Sequence, residues 1–191
     1  MKLMMAAMSF LLMIAHSGLC IGSTWNIDPQ HAHVGFKIRH MMIADVKGSF
    51  EKFSGSVEID DADVTKSRLE VSVDMDSIDT NVDKRDDHLR SPDFFDVAKY
   101  PKMSFVSKKV ERIVDGKLRV SGDLTLHGVT REIILDVQGP TGEIKDPWGH
   151  VRRGASAVSK LNRKDFGINW NKDLDAGGVA VGDEVIISLE I

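Results

Sequence analysis

Cysteine is nearly absent from this sequence of 191 residues, which contains only Cys20. Residues 23–191 have no thiol, so neither a disulfide nor a thiolate metal site can stabilise them. Cys20 allows one other interpretation, as the lipidated cysteine of a lipoprotein. Leu19 precedes it where that processing requires a small residue, so lipidation is the less favoured alternative. Because residues 23–191 contain no cysteine, their stability must come from a well-packed core.

An excess of one charge is also missing. The formal net charge is -4, and the 25 basic and 29 acidic residues are mixed along the chain, which gives no basic field for nucleic acid or anionic lipid. The longest apolar run, between Lys2 and residue 15, is shorter than the roughly 20 residues that span a bilayer. Small residues follow it. We therefore predict that residues 1–22 are a secretory signal peptide, cleaved after Gly22 or alternatively after Ser23, and that residues 23–191 form one secreted domain.

Catalytic motifs are missing too. The sequence has no Gly-x-Ser-x-Gly elbow and no glycine-rich phosphate loop before a helix. The carboxylates in residues 83–87 stand beside basic residues, which is typical of a solvated helix face with local ion pairs. These observations favour a protein that is not an enzyme.

What the sequence does contain is alternation. Val34, Phe36 and Ile38 are apolar, with glycine, lysine and arginine at the positions that follow them, which is typical of a half-buried strand. The same period recurs in residues 34–38, 46–59, 69–75, 103–113, 118–126, 133–137, 151–157 and 185–191. These are about eight strands, and the phase changes at residues 51–52, which predicts a bulge or bend. An Asp-Gly turn at residues 115–116 predicts a hairpin, and residues 82–90 predict one short helix.

This pattern predicts an all-β fold, an antiparallel barrel or a sandwich. Pairing the first long strand with the last would remove two exposed edges, so we favour the barrel. The interior of a barrel of about eight strands is either filled by side chains or open for one ligand. The period of the strands does not distinguish the two.

Several segments resemble the YceI-like family of secreted bacterial polyisoprenoid-binding proteins. They are W-N-I-D-P-Q-H-A-H-V-G-F-K-I-R-H, V-K-G-S-F-E-K-F-S-G, S-I-D-T, R-D-D-H-L-R-S-P-D-F-F-D, Y-P-K-M-S-F, G-D-L-T-L-H-G-V-T and N-R-K-D-F-G-I, in this order from Trp25 onward. The resemblance implies a lipocalin-like barrel that holds a long-chain isoprenoid or related amphiphile, such as a prenyl-quinone or a polyprenyl phosphate. It also implies a periplasmic location, with a membrane b-type cytochrome and a second copy of the chain in a homodimer as candidate partners. Ala32 departs from the serine that is common in the family.

Combined with the strand pattern, the resemblance predicts the residues of a binding site. The cavity wall would be formed by Phe36, Ile38, Phe50, Phe53, Val71, Val73, Phe105, Leu124, Leu126, Leu135 and Ile187. A polar head group would meet the basic side chains of the helix and of the long loop before the last strand, namely Arg85, His88, Arg163 and Lys164. An alternative for Arg163 is a structural pair with Asp165.

A metal-binding protein is the alternative function. His31 and His33 are two residues apart, and His40, His88, His127 and His150 could add ligands. A His-x-His pair without a third ligand at a fixed spacing is a weak metal signal. We therefore expect hydrogen-bonded histidines at turns and rims, and no cofactor or metal.

Overall fold

A computed structural model of the protein describes residues 22–114, 116–175 and 177–191. The predicted signal peptide, except Gly22, and Cys20 lie outside the described residues. The described chain is mostly β-structure. Its strands are β1 Ser23–Asn26, β2 His33–His40, β3 Ala44–Phe50, β4 Phe53–Ile59, β5 Arg68–Asp74, β6 Ile78–Asp79, β7 Lys102–Val114, β8 Lys117–Leu126, β9 Val129–Gln138, β10 Ile144–Lys145, β11 Val151–Arg152, β12 Ser156–Asn162 and β13 Val181–Glu190.

One α-helix, α1 Asp83–Arg90, is present in the described ranges, where the sequence predicted it. Acidic residues occupy its first turn and basic ones its last, which suits the helix dipole. It ends at Arg90 because Ser91, the residue before Pro92, is disfavoured in helical geometry and has an extended backbone. Short 3₁₀ turns lie at Val64–Lys66, Met75–Ser77 and Arg163–Phe166. In the residues that the structure describes, no helix has the length and apolar character needed to cross a membrane.

Eleven of the strands form a single antiparallel sheet in the order β1-β4-β5-β7-β8-β9-β12-β13-β2-β3-β6. The first long strand, β2, pairs with the last strand, β13, from His33 opposite Glu190 to Ile38 opposite Val185. This confirms the predicted pairing of these two strands. The remaining two strands, β10 and β11, pair only with each other and form a separate hairpin, the β10–β11 hairpin.

The sheet curls on itself because of the predicted bend. β3 lies next to one end of the sheet and β4 next to the other, yet only Glu51 and Lys52 connect them. Backbone hydrogen bonds fix this bend, from Glu51 N to the Ser77 carbonyl at 3.1 Å and from Asp74 N to the Lys52 carbonyl at 2.9 Å. The two ends of the sheet therefore lie close together around one interior.

The predicted count of about eight strands was wrong, because the sheet has eleven. The bend divides one predicted strand into β3 and β4, and β1 and β6 are too short to show a period. The predicted strand over 151–157 is also divided. Its first part pairs with β10, while β12 begins only at Ser156. The hairpin around Gly116 is confirmed by the pairing of Val114 with Lys117, although residue 115 itself is not described.

Candidate binding cavities

The inner face of the sheet is hollow at both ends and packed in the middle. Along β8, Leu118 and Val120 line one cavity, Leu126 lines another, and Leu124 between them lines neither. Neighbouring strands repeat this division. We call the residues between the cavities the central layer. It consists of the buried Val73, Phe105, Leu124 and Leu135 and of the partly buried Phe53 and Val71, which pack against that core.

The helix-end cavity, beside α1, has a volume of about 340 Å³. Its wall is largely apolar and includes inner-face residues of β2, β3 and β13 together with residues of α1 and of the loop before β13. Phe36, Ile38 and Ile187 point into it and are only half buried. Together with the empty volume that they border, this incomplete burial shows that this end of the interior has room for a ligand.

Besides His40 and Arg163, three polar side chains line this cavity and can contact a head group. Arg85 donates from Nε to Thr80 Oγ1 and from Nη2 to the Thr80 carbonyl, both at 2.7 Å, which holds its guanidinium at the cavity wall. His88 shares a hydrogen bond of 2.9 Å with Asp93 Oδ2. Lys172 is exposed and makes no side-chain hydrogen bond or ion pair with the described residues. An anionic or strongly polar head group would be stabilised here.

The ring of His88 is also held by aromatic packing. It lies edge-on to Phe94 at 5.0 Å and to Trp170 at 4.8 Å between ring centroids. Sequence reasoning missed Trp170 and Lys172 because they belong to an irregular loop without a period. The basic and aromatic residues of segment 162–172, which belongs to the long loop before the last strand, could have indicated them as site residues.

Arg163 lines the cavity, but its guanidinium is already hydrogen-bonded to backbone carbonyls. Its side chain is almost fully buried and donates to the carbonyls of Gly182, Ile168 and Trp170, each at 2.8 Å. Its carboxylate partner is Asp183 and not Asp165, at 3.4 Å. Burial lowers the pKa of the guanidinium, an effect that Asp183 opposes. Arg163 therefore fixes the loop before β13.

The predicted site residues are distributed over three places. Five predicted wall residues line the helix-end cavity, namely Phe36, Ile38, Phe50, Leu126 and Ile187. The other six form the central layer. Of the predicted head-group residues, Arg85, His88 and Arg163 line the same cavity, whereas Lys164 lies outside it and pairs with Asp183 at 2.9 Å. The structure thus divides one predicted wall into a cavity and a packed layer.

The far-end cavity, at the opposite end of the sheet, is larger, at about 510 Å³. The β10–β11 hairpin contributes to its rim, and Arg152 fixes that hairpin by donating to Asp146 Oδ2 at 2.8 Å and to Asp28 Oδ2 at 2.5 Å. The hydrogen bond from Arg152 lowers the pKa of Asp28 to about 2, with help from His31. Arg152 likewise holds the pKa of Asp146 well below its usual range.

Arg153 lies against the same cavity and packs over the ring of Trp25. Its terminal nitrogens pair with Asp61 at 2.7 Å and with Glu143 at 3.2 Å. The polar groups of this end are therefore mostly paired with each other.

The histidines that the structure describes do not converge on a metal centre. Within the described ranges, no group of three or more potential protein ligands could hold a metal ion. His31 bonds to Asp28 at 2.9 Å, His127 to the Phe166 carbonyl at 3.1 Å and His150 to Asp146 at 3.2 Å. Together with His88, these three make the hydrogen bonds that the sequence led us to expect, whereas the side chains of His33 and His40 make none with the described residues.

Comparison with known proteins identifies the family. Residues 25–191 match the YceI-like domain. The chain belongs to the YceI-like family. Its relatives include the UPF0312 protein plu2095 of Photorhabdus laumondii, to which this YceI-like chain is 39% identical over 180 residues, covering 94% of this chain and 91% of the relative.

Solved structures of similar chains share the fold of this YceI-like protein. The Campylobacter jejuni YCEI protein superposes with a TM-score of 0.66 at 34% identity, over 86% of this chain and 94% of that one. A polyisoprenoid binding domain from Saccharophagus degradans, implicated in plant cell wall breakdown, superposes with a TM-score of 0.60 at 17% identity, over 88% and 96% of the two chains. The second likeness is one of fold alone.

Proposed function

We propose that this protein binds a long-chain isoprenoid or related amphiphile, such as a prenyl-quinone or polyprenyl phosphate, without a chemical step. The observation that carries the proposal is the helix-end cavity, whose inner-face residues Phe36, Ile38 and Ile187 are incompletely buried. Burial of an apolar tail there is worth roughly 25 cal/mol per Å² of surface removed from water. Binding therefore needs no reaction.

The cavity also accounts for both ends of such a ligand. Its apolar wall suits the tail, and Arg85, His88 and Lys172 suit a phosphate, pyrophosphate or carbonyl head group. The central layer would limit how deep the tail reaches. Membership of the YceI-like family and the fold shared with a polyisoprenoid binding domain support the proposal.

The cellular setting is part of the proposal. We propose that residues 1–22 are removed and that the remaining chain acts in the periplasm. N-terminal sequencing of protein recovered from its host tests this, and a mature chain that starts with Met1 would contradict it. The b-type cytochrome partner and the homodimer stay predictions.

The direct test is native mass spectrometry of protein from its own host, followed by extraction of the bound molecule. A delipidated sample should then take up a prenyl-quinone or a polyprenyl phosphate. If neither the native nor the delipidated protein carries a long-chain amphiphile, the proposal is wrong.

A cavity-filling pair of variants locates the ligand. Ile187→Trp fills the helix-end cavity, and we expect it to weaken uptake by at least about tenfold because the tail loses its space. Val137→Trp fills the far-end cavity in the same manner and serves as the matched control. Displacement titrations measure both affinities. Loss of binding in Val137→Trp alone would place the ligand in the far-end cavity and contradict the proposed position.

A further inference from the structure

Three consecutive apolar side chains project from the rim of the helix-end cavity. They are Met41, Met42 and Ile43 in the turn between β2 and β3, with 46%, 52% and 79% of their surface exposed. We call them the apolar tip. Met41 also lines the cavity, so an apolar surface continues from the cavity wall to the end of the tip.

The backbone of the tip holds these side chains outward. Met41 and Met42 have φ values of 50° and 60°, in the left-handed region that glycine and asparagine adopt most readily. Two hydrogen bonds fix this conformation, from Met41 N to the Ala180 carbonyl at 2.7 Å and from Arg39 Nη2 to the Met42 carbonyl at 3.0 Å. Methionine in such a position indicates a use for the side chain, because the local fold alone would favour glycine.

The size of the tip decides between partners. A stable protein interface buries about 800 Å² on each partner, which three side chains at the end of a hairpin do not supply. Shallow insertion into the interfacial layer of a bilayer requires only a small apolar projection next to polar or basic groups.

The charges behind the tip are compatible with a lipid surface. Lys37 and Lys47 are opposite each other in the β2–β3 ladder, a pairing of like charges that an anion nearby would stabilise. Lys37 and Arg39 also pair with Asp45. Acidic residues at 173 and 175, in the loop beside the tip, oppose this positive charge. Apolar insertion must therefore supply most of the attraction.

We propose that the apolar tip inserts into the interface of a phospholipid bilayer and so turns the opening of the helix-end cavity toward the membrane. This inference rests on the proposed function, since a long-chain isoprenoid resides in a bilayer when it is not bound. The ligand would then pass between bilayer and cavity along the continuous apolar surface of Met41, without exposure of its tail to water.

The far end of the molecule provides a matched control. The β10–β11 hairpin and its turn also carry exposed apolar residues, with Ile144 at 63% and Trp148 at 78% exposure. The central layer separates this end from the helix-end cavity. Changes at Ile144 and Trp148 remove a comparable apolar surface but leave the apolar tip intact.

The test compares the wild-type chain with the variants Met42→Asn/Ile43→Ser and Ile144→Ser/Trp148→Ser. Asparagine suits the left-handed backbone at position 42, and Met41 is kept because it lines the cavity. Each protein is sedimented with vesicles of phosphatidylethanolamine and phosphatidylglycerol. We expect the tip variant to partition at least about tenfold more weakly and the control to stay within about twofold of wild type. All three proteins share the same N-terminus, so any contribution of that segment cancels.

A measurement of ligand loading separates this inference from the proposed function. Each protein is offered a prenyl-quinone from detergent solution, and native mass spectrometry measures its occupancy. Equal occupancy with impaired vesicle binding in the tip variant alone supports the inference. If no protein takes up the quinone, the proposed function fails.

Other outcomes overturn the inference alone. One is normal loading with unchanged vesicle binding in the tip variant. Another is a loss of vesicle binding in the Ile144→Ser/Trp148→Ser variant, which would place the membrane at the far end. A third is a change from dimer to monomer on tip substitution with unchanged vesicle binding, because the tip would then contact a second copy of the chain.

Discussion

Asp86 is a buried carboxylate that joins helix α1 to the sheet. It is 5% exposed, and its Oδ1 accepts from Thr80 N at 3.0 Å and from Thr80 Oγ1 at 2.5 Å. Thr80 in turn accepts from Arg85 at the wall of the helix-end cavity. We expect Asp86→Ala to lower the free energy of unfolding by about 1–3 kcal/mol, because two buried donors lose their acceptor. Urea denaturation measures this change.

The control for Asp86 is Asp86→Asn, which keeps one acceptor oxygen at the same place. We expect it to cost less stability than Asp86→Ala, since both Thr80 donors bond to Oδ1, which asparagine keeps as a neutral and weaker acceptor. A stability of Asp86→Ala equal to wild type would show that these hydrogen bonds do not hold the helix.

At the scale of elements, the β10–β11 hairpin depends on carboxylates whose pKa values are lowered. Arg152 holds the pKa of Asp28 at about 2, whereas the pKa of a free aspartate is about 3.9. A carboxyl group with a lowered folded-state pKa stabilises the fold above its unfolded pKa and loses that effect as the pH falls through the folded value. We therefore expect stability to decrease as the pH falls from about 4 to about 2.

The variants Asp28→Asn and Arg152→Gln test this prediction. Asp28→Asn removes the titrating group, and Arg152→Gln removes the first cause of its low pKa. Both should make stability less dependent on pH in that acidic range, as urea denaturation at successive pH values measures. Hydrogen exchange of residues 144–152 locates the effect. An acid dependence in Asp28→Asn identical to wild type would contradict the assignment.

At the scale of the whole molecule, the central layer determines how much of the interior a ligand can enter. Leu124 and Leu126 are on the same strand and the same face, at 4% and 6% exposure, but only Leu126 lines a cavity. We expect alanine at either position to cost about 2–5 kcal/mol of stability. Only Leu124→Ala should let longer chains bind, because it opens the layer toward the far-end cavity.

Native mass spectrometry of both variants with isoprenoids of graded length measures this difference. Leu126→Ala is the control, because it enlarges the helix-end cavity without opening the central layer. The same length preference in both variants would show that the layer does not limit the ligand.

Strand positions could be predicted well where the period was long. Residues 34–38 and 118–126 alternate over many positions, and the structure places them in β2 and β8. β1, β6 and β10 escaped prediction, and β11 was not separated from β12, because two to four residues show no period.

The site was less predictable than the fold. Phe36 and Phe105 have the same inward pattern in the sequence, yet one lines a cavity and the other is packed in the central layer. The difference arises because Phe36 lies near the helix end of the interior and Phe105 near its middle, and because different side chains lie opposite the two rings. For example, the ring of Phe105 lies against Gly122 of β8. A Cβ atom at position 122 would lie only 2.6 Å from Phe105 Cζ, so the ring can pack there only because glycine has no side chain.

The sequence by itself determined the antiparallel all-β class, the short helix and the bend at residues 51–52, because periodicity, helix-stop signals and phase changes are local properties. Its motifs also indicated the family. Only the tertiary structure decided which inward side chains enclose empty space, that Arg163 is occupied by carbonyls, and that Met41, Met42 and Ile43 stand at the opening of the cavity. These properties depend on curvature and on contacts between residues far apart in the chain, which no local pattern records.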